Sequence, residues 1–556
     1  MLLRPGDRRH AATGAAASDR CSVAPAVRAY FGGTEEAPIN GAQALIRTLV
    51  DAGVDVCFTN PGTSEMHFVA ALDDVPEMRG ILGLFEGVVT GAADGYARMA
   101  GKPAATLLHL GPGLGNGLAN LHNARRARVP MINIVGDHAL AHKPLDAPLE
   151  SDIDAIASAV SAWVTRSTSP DDVATDAAHA VVAATEDGGR VATLILPADV
   201  CWSESPGPVQ PLPALSQTPP TEAAQCAVAD ALRSGRKCMI LLGGRTLLEP
   251  GLRAARRIAD ATGAGMMCET FPTRLERGAG VVPIDRLAYL GEFAQMQLDG
   301  SEVIVLVDAK APVTFFAYPG KESVLTPEGC EVIDLCAGGV DPVSALTDLA
   351  ERIGCGTDVA VAPAARPERP TGPLTAESVA ASIGALLPEH TILVDESNTS
   401  GIFVAGATAG APRHDMLTLT GGAIGIGLPL ALGAAVAAPD RKVLCLESDG
   451  SAMYTIQALW TMVREDLDIT IVLYNNSSYA VLNMELNRVG ASNVGDKARA
   501  MLDLSGPDLD FVALAKGMGV TASRATTAEE FTDQLEAALA HRGVRLVEAM
   551  VPVIGM

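Results

Sequence analysis

Short apolar runs alternate with amphipathic stretches along most of this chain. The segment NGAQALIRTLVDAG, which starts at Asn40, has apolar positions at helical spacing, and the β-branched run VDVCFT follows it. The alternation continues through ILGLFE, GVVTGAADGYARMAG, PAATLLHL, LGNGLANLHNARRA and PMINIVGD. Short strands that alternate with helices are typical of a parallel sheet covered on both faces. The pattern predicts an α/β fold built from doubly wound parallel sheets.

Two Pro-rich segments divide the chain into three blocks. Residues 206–220 (PGPVQPLPALSQTPP) and 361–373 (VAPAARPERPTGP) interrupt the alternation and are predicted linkers. After each linker, apolar strands return, for example KCMILLGG in the second block and HTILVDES in the third. We therefore predict three α/β domains over residues 39–205, 221–360 and 374–556.

Residues 1–38 are rich in Arg and Ala and have no clear periodicity. We predict a disordered N-terminal extension there, and a transit peptide is the alternative.

Composition and charge narrow the classes of function. The net charge of −24 repels a phosphate backbone, and no Lys/Arg run counters it, so nucleic acid is not an expected partner. Ten cysteines are scattered without a CxxC pair, which fits a reducing compartment and argues against a zinc site or a disulfide framework. The sequence has no run of about 18 apolar residues and no secretory signal. We therefore predict a cytoplasmic protein with no membrane partner.

The third block contains the strongest chemical motif. In RKVLCLESDGSAMYTIQALWTMVREDLDITIVLYNNSSY, one strand ends at a Ser-Asp-Gly-Ser turn, a helix follows from about residue 452 to 465, and a second strand ends at Asn-Asn. Asp449 and Asn476 would emerge at the same sheet edge, where ligands of α/β proteins bind. Their oxygens suit Mg²⁺, while Gly450 and Ser451 open a helix N-terminus that favours phosphate. Separately, each turn could be an ordinary cap or turn; together they indicate a magnesium and diphosphate site.

This segment resembles the thiamine diphosphate (ThDP) signature of the family that includes acetolactate synthase, benzoylformate decarboxylase and pyruvate decarboxylase. The family sequence is Gly-Asp-Gly-Ser followed by Asn-Asn, and Ser448 departs from it in place of Gly. The resemblance implies that Mg²⁺ is held by Asp449, Asn476 and the backbone carbonyl of Ser478. It also implies three domains, which bind the pyrimidine (39–205), occupy the centre (221–360) and bind the diphosphate (374–556).

The pyrimidine half of such a site needs a carboxylate that hydrogen-bonds a ring nitrogen, so that the ring amine can act as a base. Glu86 is predicted to end an apolar strand before a small-residue helix. From the sequence alone it could be an ordinary strand-end carboxylate. The resemblance makes it the catalytic Glu, because family members place that residue before the Gly-Tyr-Ala-Arg sequence found here at 95–98.

The resemblance assigns further contacts with ThDP. Ile424 would hold the cofactor in its folded V shape, and the Gly422 carbonyl would accept from the amine, although a Gly-rich packing turn is the competing explanation. The segment VDESNTS resembles the diphosphate loop, which places Asn398 and Thr399 on the phosphates. Contacts from Gly450, Ser451 and Tyr479 complete the predicted cofactor site.

Two segments of the first block resemble benzoylformate decarboxylase. In NPGTSEMHF and LLHLGPGLGN, a hydroxyl residue and a His would face the substrate carbonyl, and here they are Thr63 and His109. A lone His at the end of an apolar strand is more often a core residue. Acetolactate synthases usually lack this His, bind FAD in the middle block and carry a Trp near the position of Glu485. The middle block has no FAD fingerprint, so FAD is not expected.

Similarity over about 40–556 is nevertheless closest to acetolactate synthase-like large subunits. We therefore predict ThDP- and Mg²⁺-dependent decarboxylation and carboligation of a 2-oxoacid, in which two pyruvate molecules give 2-acetolactate and CO2. The alternative is a decarboxylase that releases an aldehyde. Alternatives of other classes are a catalytically silent regulatory paralogue and a Rossmann oxidoreductase. The glycines of GPGLGNG do not follow the G-x-G-x-x-G spacing that a Rossmann oxidoreductase requires.

In this family the catalytic Glu and the diphosphate site face each other across a subunit interface. The resemblance therefore implies a homodimer or homotetramer that acts on a small 2-oxoacid.

Overall fold

A computed structural model of the chain describes residues 38–213, 218–337, 339–491 and 494–554. The predicted extension 1–38 lies outside these ranges apart from Pro38. Residues 39–556 form one compact unit. Within the described ranges, no helix is both long and apolar enough to cross a membrane.

The first block has helices and strands in near-regular alternation around a six-stranded sheet of order β2-β1-β3-β4-β6-β5, in which every pairing is parallel. Its elements are α1 (Gly41–Asp51), β1 (Val56–Asn60), α2 (Met66–Ala71), β2 (Arg79–Leu82), α3 (Glu86–Ala100), β3 (Ala104–Leu108), α4 (Leu110–Ala127), β4 (Met131–Asp137), α5 (Ile153–Ser158), β5 (Trp163–Arg166), α6 (Val173–Thr185), β6 (Val191–Pro197) and α7 (Ala198–Trp202).

The second block contains a five-stranded parallel sheet of order β10-β8-β7-β11-β12. Its elements are α8 (Glu222–Arg233), β7 (Cys238–Leu242), α9 (Glu249–Thr262), β8 (Gly265–Cys268), β9 (Leu275–Arg277), β10 (Asp285–Arg286), α10 (Gly291–Leu298), β11 (Val303–Val307), β12 (Glu331–Asp334) and α11 (Pro342–Ile353).

The third block contains a seven-stranded sheet of order β17-β18-β16-β15-β13-β14-β9. Its own elements are α12 (Ala376–Leu386), β13 (Ile392–Glu396), α13 (Val404–Ala407), β14 (His414–Thr418), α14 (Gly427–Ala437), β15 (Val443–Ser448), α15 (Asp449–Thr455), α16 (Ala458–Arg464), β16 (Ile469–Asn475), α17 (Ala480–Arg488), α18 (Asp496–Ala500), α19 (Phe511–Gly517), β17 (Thr521–Ala525), α20 (Ala528–Leu539) and β18 (Arg545–Met550).

These three sheets confirm the predicted fold class. The central strands β3, β4 and β16 are buried along their whole length, as expected for sheets with helices on both faces. Among the strands that the structure describes, one pairing is not parallel: β9 leaves the second block and pairs antiparallel with β14 at the edge of the third sheet. Alternation of strands and helices predicts neither this exchange nor its direction, because it depends on a long-range pairing.

Local boundaries differ from the sequence expectations at two functional positions. Strand β2 ends at Leu82, so Glu86 is the first residue of α3 and does not end a strand. The helix predicted for about 452–465 is two helices, α15 and α16, and α15 already begins at Asp449. In both places a carboxylate occupies a helix N-terminus, where the helix dipole favours negative charge.

The first and third blocks pack through α3 and α14, which approach closely at glycines. A Cβ on Gly95 would collide with the backbone of Leu430, and one on Gly433 would collide with the carbonyl of Ala92. These glycines let the two helix backbones touch. The contact brings the start of α3, where Glu86 lies, close to the turn that precedes α14.

Candidate active site

Asp449 and Asn476 meet at the C-terminal edge of the third sheet, where β15 and β16 pair in parallel. Asp449 is 2% exposed. One of its carboxylate oxygens accepts from the backbone N–H groups of Asn476 (3.0 Å) and Ser477 (2.7 Å). Burial raises the pKa of Asp449, and these backbone donors partly counteract that effect. The predicted pair therefore shares one edge of the sheet.

The residues around this pair fit a hard divalent cation. The side-chain amide of Asn476 lies beside Ser400 (3.5 Å), and its oxygen accepts from the N–H of Ser478 (3.0 Å). Asp449, Asn476 and the Ser478 carbonyl are oxygen donors of the type Mg²⁺ takes together with phosphate and water. Over the described ranges, no group of three or more His, Cys, Asp or Glu side chains is arranged around a metal position. A cation here would depend on this mixed donor set.

The predicted diphosphate loop lies beside the same edge. The side chain of Asn398 donates to the hydroxyls of Ser448 (3.1 Å) and Ser451 (3.0 Å), and its backbone is left-handed (φ 50°). Thr399 follows it in the short 3₁₀ helix Asn398–Gly401 and is half-buried. The hydroxyl of Ser448 also donates to the Glu396 carbonyl (2.9 Å). Ser448, the departure from the family pattern, thus ties the loop to α15.

Gly450 is required where it stands because the ring of Tyr479 packs on it. A Cβ at Gly450 would lie 2.5 Å from a ring carbon of Tyr479. Tyr479 is half-buried and precedes α17, and burial raises the pKa of its hydroxyl. The predicted contact residues Gly450, Ser451 and Tyr479 are therefore grouped at the start of α15.

The turn before α14 holds the predicted pyrimidine contacts. Gly422 is exposed, has φ +78°, and a Cβ there would meet nothing within 4 Å. Its neighbours are bonded: the Gly421 carbonyl lies 3.1 Å from His122, and Ala423 bonds Asn123 through both backbone groups. In the described part of the chain, no hydrogen bond reaches the Gly422 carbonyl. A free carbonyl between fixed neighbours fits an acceptor for the ThDP amine.

Ile424, in the same turn, is half-buried and packs on the large core cluster between the first and third blocks. Its position is consistent with the supporting role that the resemblance implies.

Two buried carboxyl groups that the sequence analysis missed support this turn. Glu396 accepts from the N–H groups of Gly425 (2.8 Å) and Gly427. Glu447 also faces Gly427, and one of its oxygens is buried with no hydrogen-bond partner among the described residues. Burial raises the pKa of Glu396 to about 7 and raises that of Glu447 well above the ordinary range, with mutual repulsion adding to the latter shift. The only sequence signal was an acidic residue at the end of each apolar strand.

Glu86 lies in the first block, 7% exposed at the start of α3. The side-chain amide of Asn116 on α4 donates to its carboxylate at 3.0 Å. A Cβ on Gly113 would lie 3.0 Å from the other carboxylate oxygen, so the glycine leaves room for it. Asn116 was not predicted, although its position one turn into the Gly-rich helix was visible in the sequence.

His109 is oriented by a carboxylate that the sequence analysis did not single out. Its Nδ1 lies 2.8 Å from Glu65, which is 1% exposed and also accepts from the Gly62 N–H at 2.6 Å. An ionised carboxylate can only accept, so Nδ1 donates to Glu65 and Nε2 is the ring nitrogen left for other partners. The hydroxyl near this ring is that of Ser64, at 3.5 Å, whereas Thr63 is exposed. The structure thus places Glu65 and Ser64 beside His109, and among the described residues no hydrogen bond joins the Thr63 side chain to this ring.

Glu485 lies on α17, the helix that follows Ser478 and Tyr479. Its carboxylate accepts from the hydroxyls of Tyr318 (2.8 Å) and Tyr289 (3.3 Å) in the second block. The ring of Tyr289 contacts that of Phe315, with centroids 4.9 Å apart. Burial, followed by the neighbouring carboxylate, raises the pKa of Tyr318. Glu485, which lies near the position where acetolactate synthases usually carry Trp, thus joins α17 to the central block through these hydrogen bonds.

Comparisons with known proteins identify thiamine pyrophosphate binding domains in the first and third blocks. Residues 39–158 match the family described as thiamine pyrophosphate enzyme, N-terminal TPP binding domain, and residues 401–549 match the C-terminal TPP binding domain. A Mycobacterium tuberculosis protein provisionally named acetolactate synthase large subunit IlvX is 61% identical over 92% of this chain and 99% of its own. Benzoylformate decarboxylase of Pseudomonas aeruginosa is 31% identical over 90% of this chain and 97% of its own.

Solved structures agree in fold. A 4-hydroxybenzoylformate decarboxylase of Rhodococcus jostii superposes with a TM-score of 0.80 at 24% identity, and covers 93% of this chain and 100% of that one. The chain therefore belongs to the family of thiamine-diphosphate-dependent enzymes that includes acetolactate synthase and benzoylformate decarboxylase.

Proposed function

We propose that the protein is a ThDP- and Mg²⁺-dependent carboligase that converts two molecules of pyruvate into 2-acetolactate and CO2. The observation that carries this proposal is the meeting of Asp449 and Asn476 at one sheet edge in a chain that also keeps a buried Glu86. The name of the relative at 61% identity supports the acetolactate outcome. Bound ThDP would supply a carbanion that adds to the ketone carbonyl and an electron sink for the loss of CO2.

The chain's own groups would prepare that chemistry. Asp449, Asn476 and the Ser478 carbonyl would hold Mg²⁺, which neutralises the diphosphate in a protein of strongly negative charge. Glu86 would hold a proton against the pyrimidine ring nitrogen, and Asn116 keeps its carboxylate in place at 3.0 Å. The free Gly422 carbonyl would accept from the ring amine.

The test is to incubate purified protein with ThDP, Mg²⁺ and, separately, pyruvate or benzoylformate, and to identify products by mass spectrometry. We expect acetolactate from pyruvate, with one CO2 released per acetolactate. Benzaldehyde from benzoylformate together with inert pyruvate would contradict the synthase proposal.

A second candidate function is decarboxylation with release of an aldehyde. The pairing of His109 with the buried Glu65 favours it, because an oriented imidazole can deliver a proton to the carbon that loses CO2. Relatives and structural neighbours named as benzoylformate decarboxylases also support it. The same incubations separate the two candidates by product.

We also propose a homo-oligomer, at least a dimer, in the cytoplasm. Exposed apolar side chains at the C-terminal edges of the first and third sheets, among them Leu84, Ile402 and Tyr454, support a partner surface around the site. Light scattering after gel filtration checks the mass, and a monomer with full activity would contradict this proposal. FAD is no part of the proposal.

A further inference from the structure

Helix α4 carries an asparagine pair, Asn120 and Asn123, that contacts both the start of α3, next to Glu86, and the turn that carries Gly422. The two side chains are almost fully buried, at 2% and 0% exposed. The Asn123 amide donates to the oxygen of Asn120 at 2.9 Å. A buried side-chain amide destabilises the folded state unless its polar groups are hydrogen-bonded. The hydrogen-bond partners of this pair therefore show which segments it holds in place.

Asn120 reaches two backbone segments that are far apart in sequence. Its amide nitrogen donates to the carbonyl of Gly87 at 2.8 Å and to the carbonyl of Gly425 at 3.3 Å. Gly87 directly follows Glu86, and Gly425 ends the turn that presents the Gly422 carbonyl. Gly91 on α3 leaves the space for this amide, because a Cβ there would lie 2.9 Å from its nitrogen. One side chain therefore joins the Glu86 end of α3 to the pyrimidine turn.

Asn123 and Asn116 have narrower contacts on the same helix. The Asn123 side chain donates to the Ala423 carbonyl at 2.7 Å and accepts from the Ala423 N–H at 3.2 Å. Apart from its bond to Asn120, these side-chain bonds go to the turn. Asn116 donates to the Glu86 carboxylate and, within the described ranges, makes no side-chain hydrogen bond to the turn. Asn123 thus contacts the turn, Asn116 contacts the Glu86 carboxylate, and Asn120 contacts both the turn and the start of α3. This division makes Asn123 and Asn116 matched controls for Asn120.

We propose that Asn120 is a positioning residue for proton transfer in the cofactor ring: it fixes the helix start that carries Glu86 and the turn that carries Gly422 in one geometry. The inference rests on the proposed ThDP function. Proton transfer to the ring amine requires a carboxylate on one side of the pyrimidine and an acceptor on the other, and small displacements of either slow it. In the proposed dimer the two segments of one chain face different rings, so Asn120 sets the Glu86 side of one site and the Gly422 side of the other.

The test uses the full-length protein loaded with ThDP and Mg²⁺ and measures three quantities. These are the ThDP dissociation constant, the near-ultraviolet circular dichroism that distinguishes the pyrimidine tautomers, and the rate at which the C2 proton of bound ThDP exchanges with deuterium. For Asn120→Ala, the loss of two hydrogen bonds should slow C2 exchange about 5-fold to 150-fold and shift the tautomer signature. Asn123→Ala should chiefly weaken ThDP binding, and Asn116→Ala should slow exchange with the turn intact.

Thermal melting shows whether the variants fold. If Asn120→Ala precipitates, Asn120→Asp serves instead, since it keeps the acceptor for Asn123 and loses both donations. C2 exchange within twofold of wild type at saturating ThDP, in a folded variant of either kind, would overturn the positioning role and leave the proposed function standing. A wild-type protein that binds no ThDP, or whose bound ThDP exchanges no faster than free ThDP, would overturn both.

Discussion

Glu65→Gln is the sharpest test of the first-block chemistry, because it removes a charge and leaves the shape almost unchanged. Glu65 is 1% exposed, and the oxygen that faces His109 at 2.8 Å also accepts from Gly62 at 2.6 Å. A hydrogen bond to a charged acceptor contributes about 1.5–3 kcal/mol and one to a neutral acceptor about 0.5–1.5 kcal/mol. Glu65→Gln should therefore weaken the hydrogen bond that orients His109 by about 1–1.5 kcal/mol. If His109 takes part in the limiting step, kcat should fall about fivefold to 13-fold.

The assay is steady-state turnover of the 2-oxoacid that wild type accepts, with the ThDP dissociation constant as a control that should not change. A double-mutant cycle with His109→Ala separates orientation from folding. In the His109→Ala background, Glu65→Gln should change kcat less than twofold, because there is no imidazole left to orient. An equal loss in both backgrounds, or no loss in wild type, would refute the reasoning.

Four further changes have defined outcomes. Glu86→Gln should reduce turnover at least a hundredfold while ThDP and Mg²⁺ still bind by calorimetry; full activity would favour a different carboxylate. Asp449→Ala should abolish Mg²⁺-dependent ThDP binding, measured by fluorescence quenching, with the fold retained by circular dichroism. The folded-state pKa of Glu396 is raised from 4.5 to about 7, so between these pH values the native state holds more protons than the unfolded state. The melting temperature of the cofactor-free protein should therefore fall as pH rises through this window. Glu447→Gln should make that melting temperature less dependent on pH. Tyr318→Phe removes the 2.8 Å hydrogen bond to Glu485 that joins α17 to the central block, so the melting temperature should fall; an unchanged melting temperature would contradict this anchoring role.

Local patterns predict the fold class, and they predict that Asp449 and Asn476 lie at one edge of the third sheet, for physical reasons. Strand and helix periodicities are set within a few residues, so β15, β16 and the turn that ends at Asp449 were predictable from the third block alone. The convergence of Asp449 and Asn476 is predictable because neighbouring parallel strands end at the same edge of a sheet. The roles of Glu86 and Ile424 came from resemblance, since a carboxylate at a helix start and an aliphatic residue in a turn are common.

What the sequence did not predict depends on contacts between distant segments. Glu65 stands only two residues from Thr63, yet its bond to His109 joins two different strand ends and is not visible in either motif. Asn120 looks like any polar residue on an amphipathic helix until α3 and the turn before α14 meet around it. The Glu396 and Glu447 pair arises because β13 and β15 are neighbours in the sheet. Such groups become functional only through burial, which is a property of the assembled fold.

The exchange of β9 bears on how this enzyme can be engineered. The strand belongs by sequence to the middle block, yet its backbone completes the edge of the third sheet by pairing Leu275–Arg277 with His414–Met416. A chimera that replaced the middle block at the two Pro-rich linkers would uncover β14, whose free N–H and C=O groups would then be open to pairing between molecules. Grafted specificity loops should therefore be cut inside the block, on either side of β9. The two Pro-rich linkers therefore do not mark a boundary at which the middle and third blocks can be separated without exposing a strand edge.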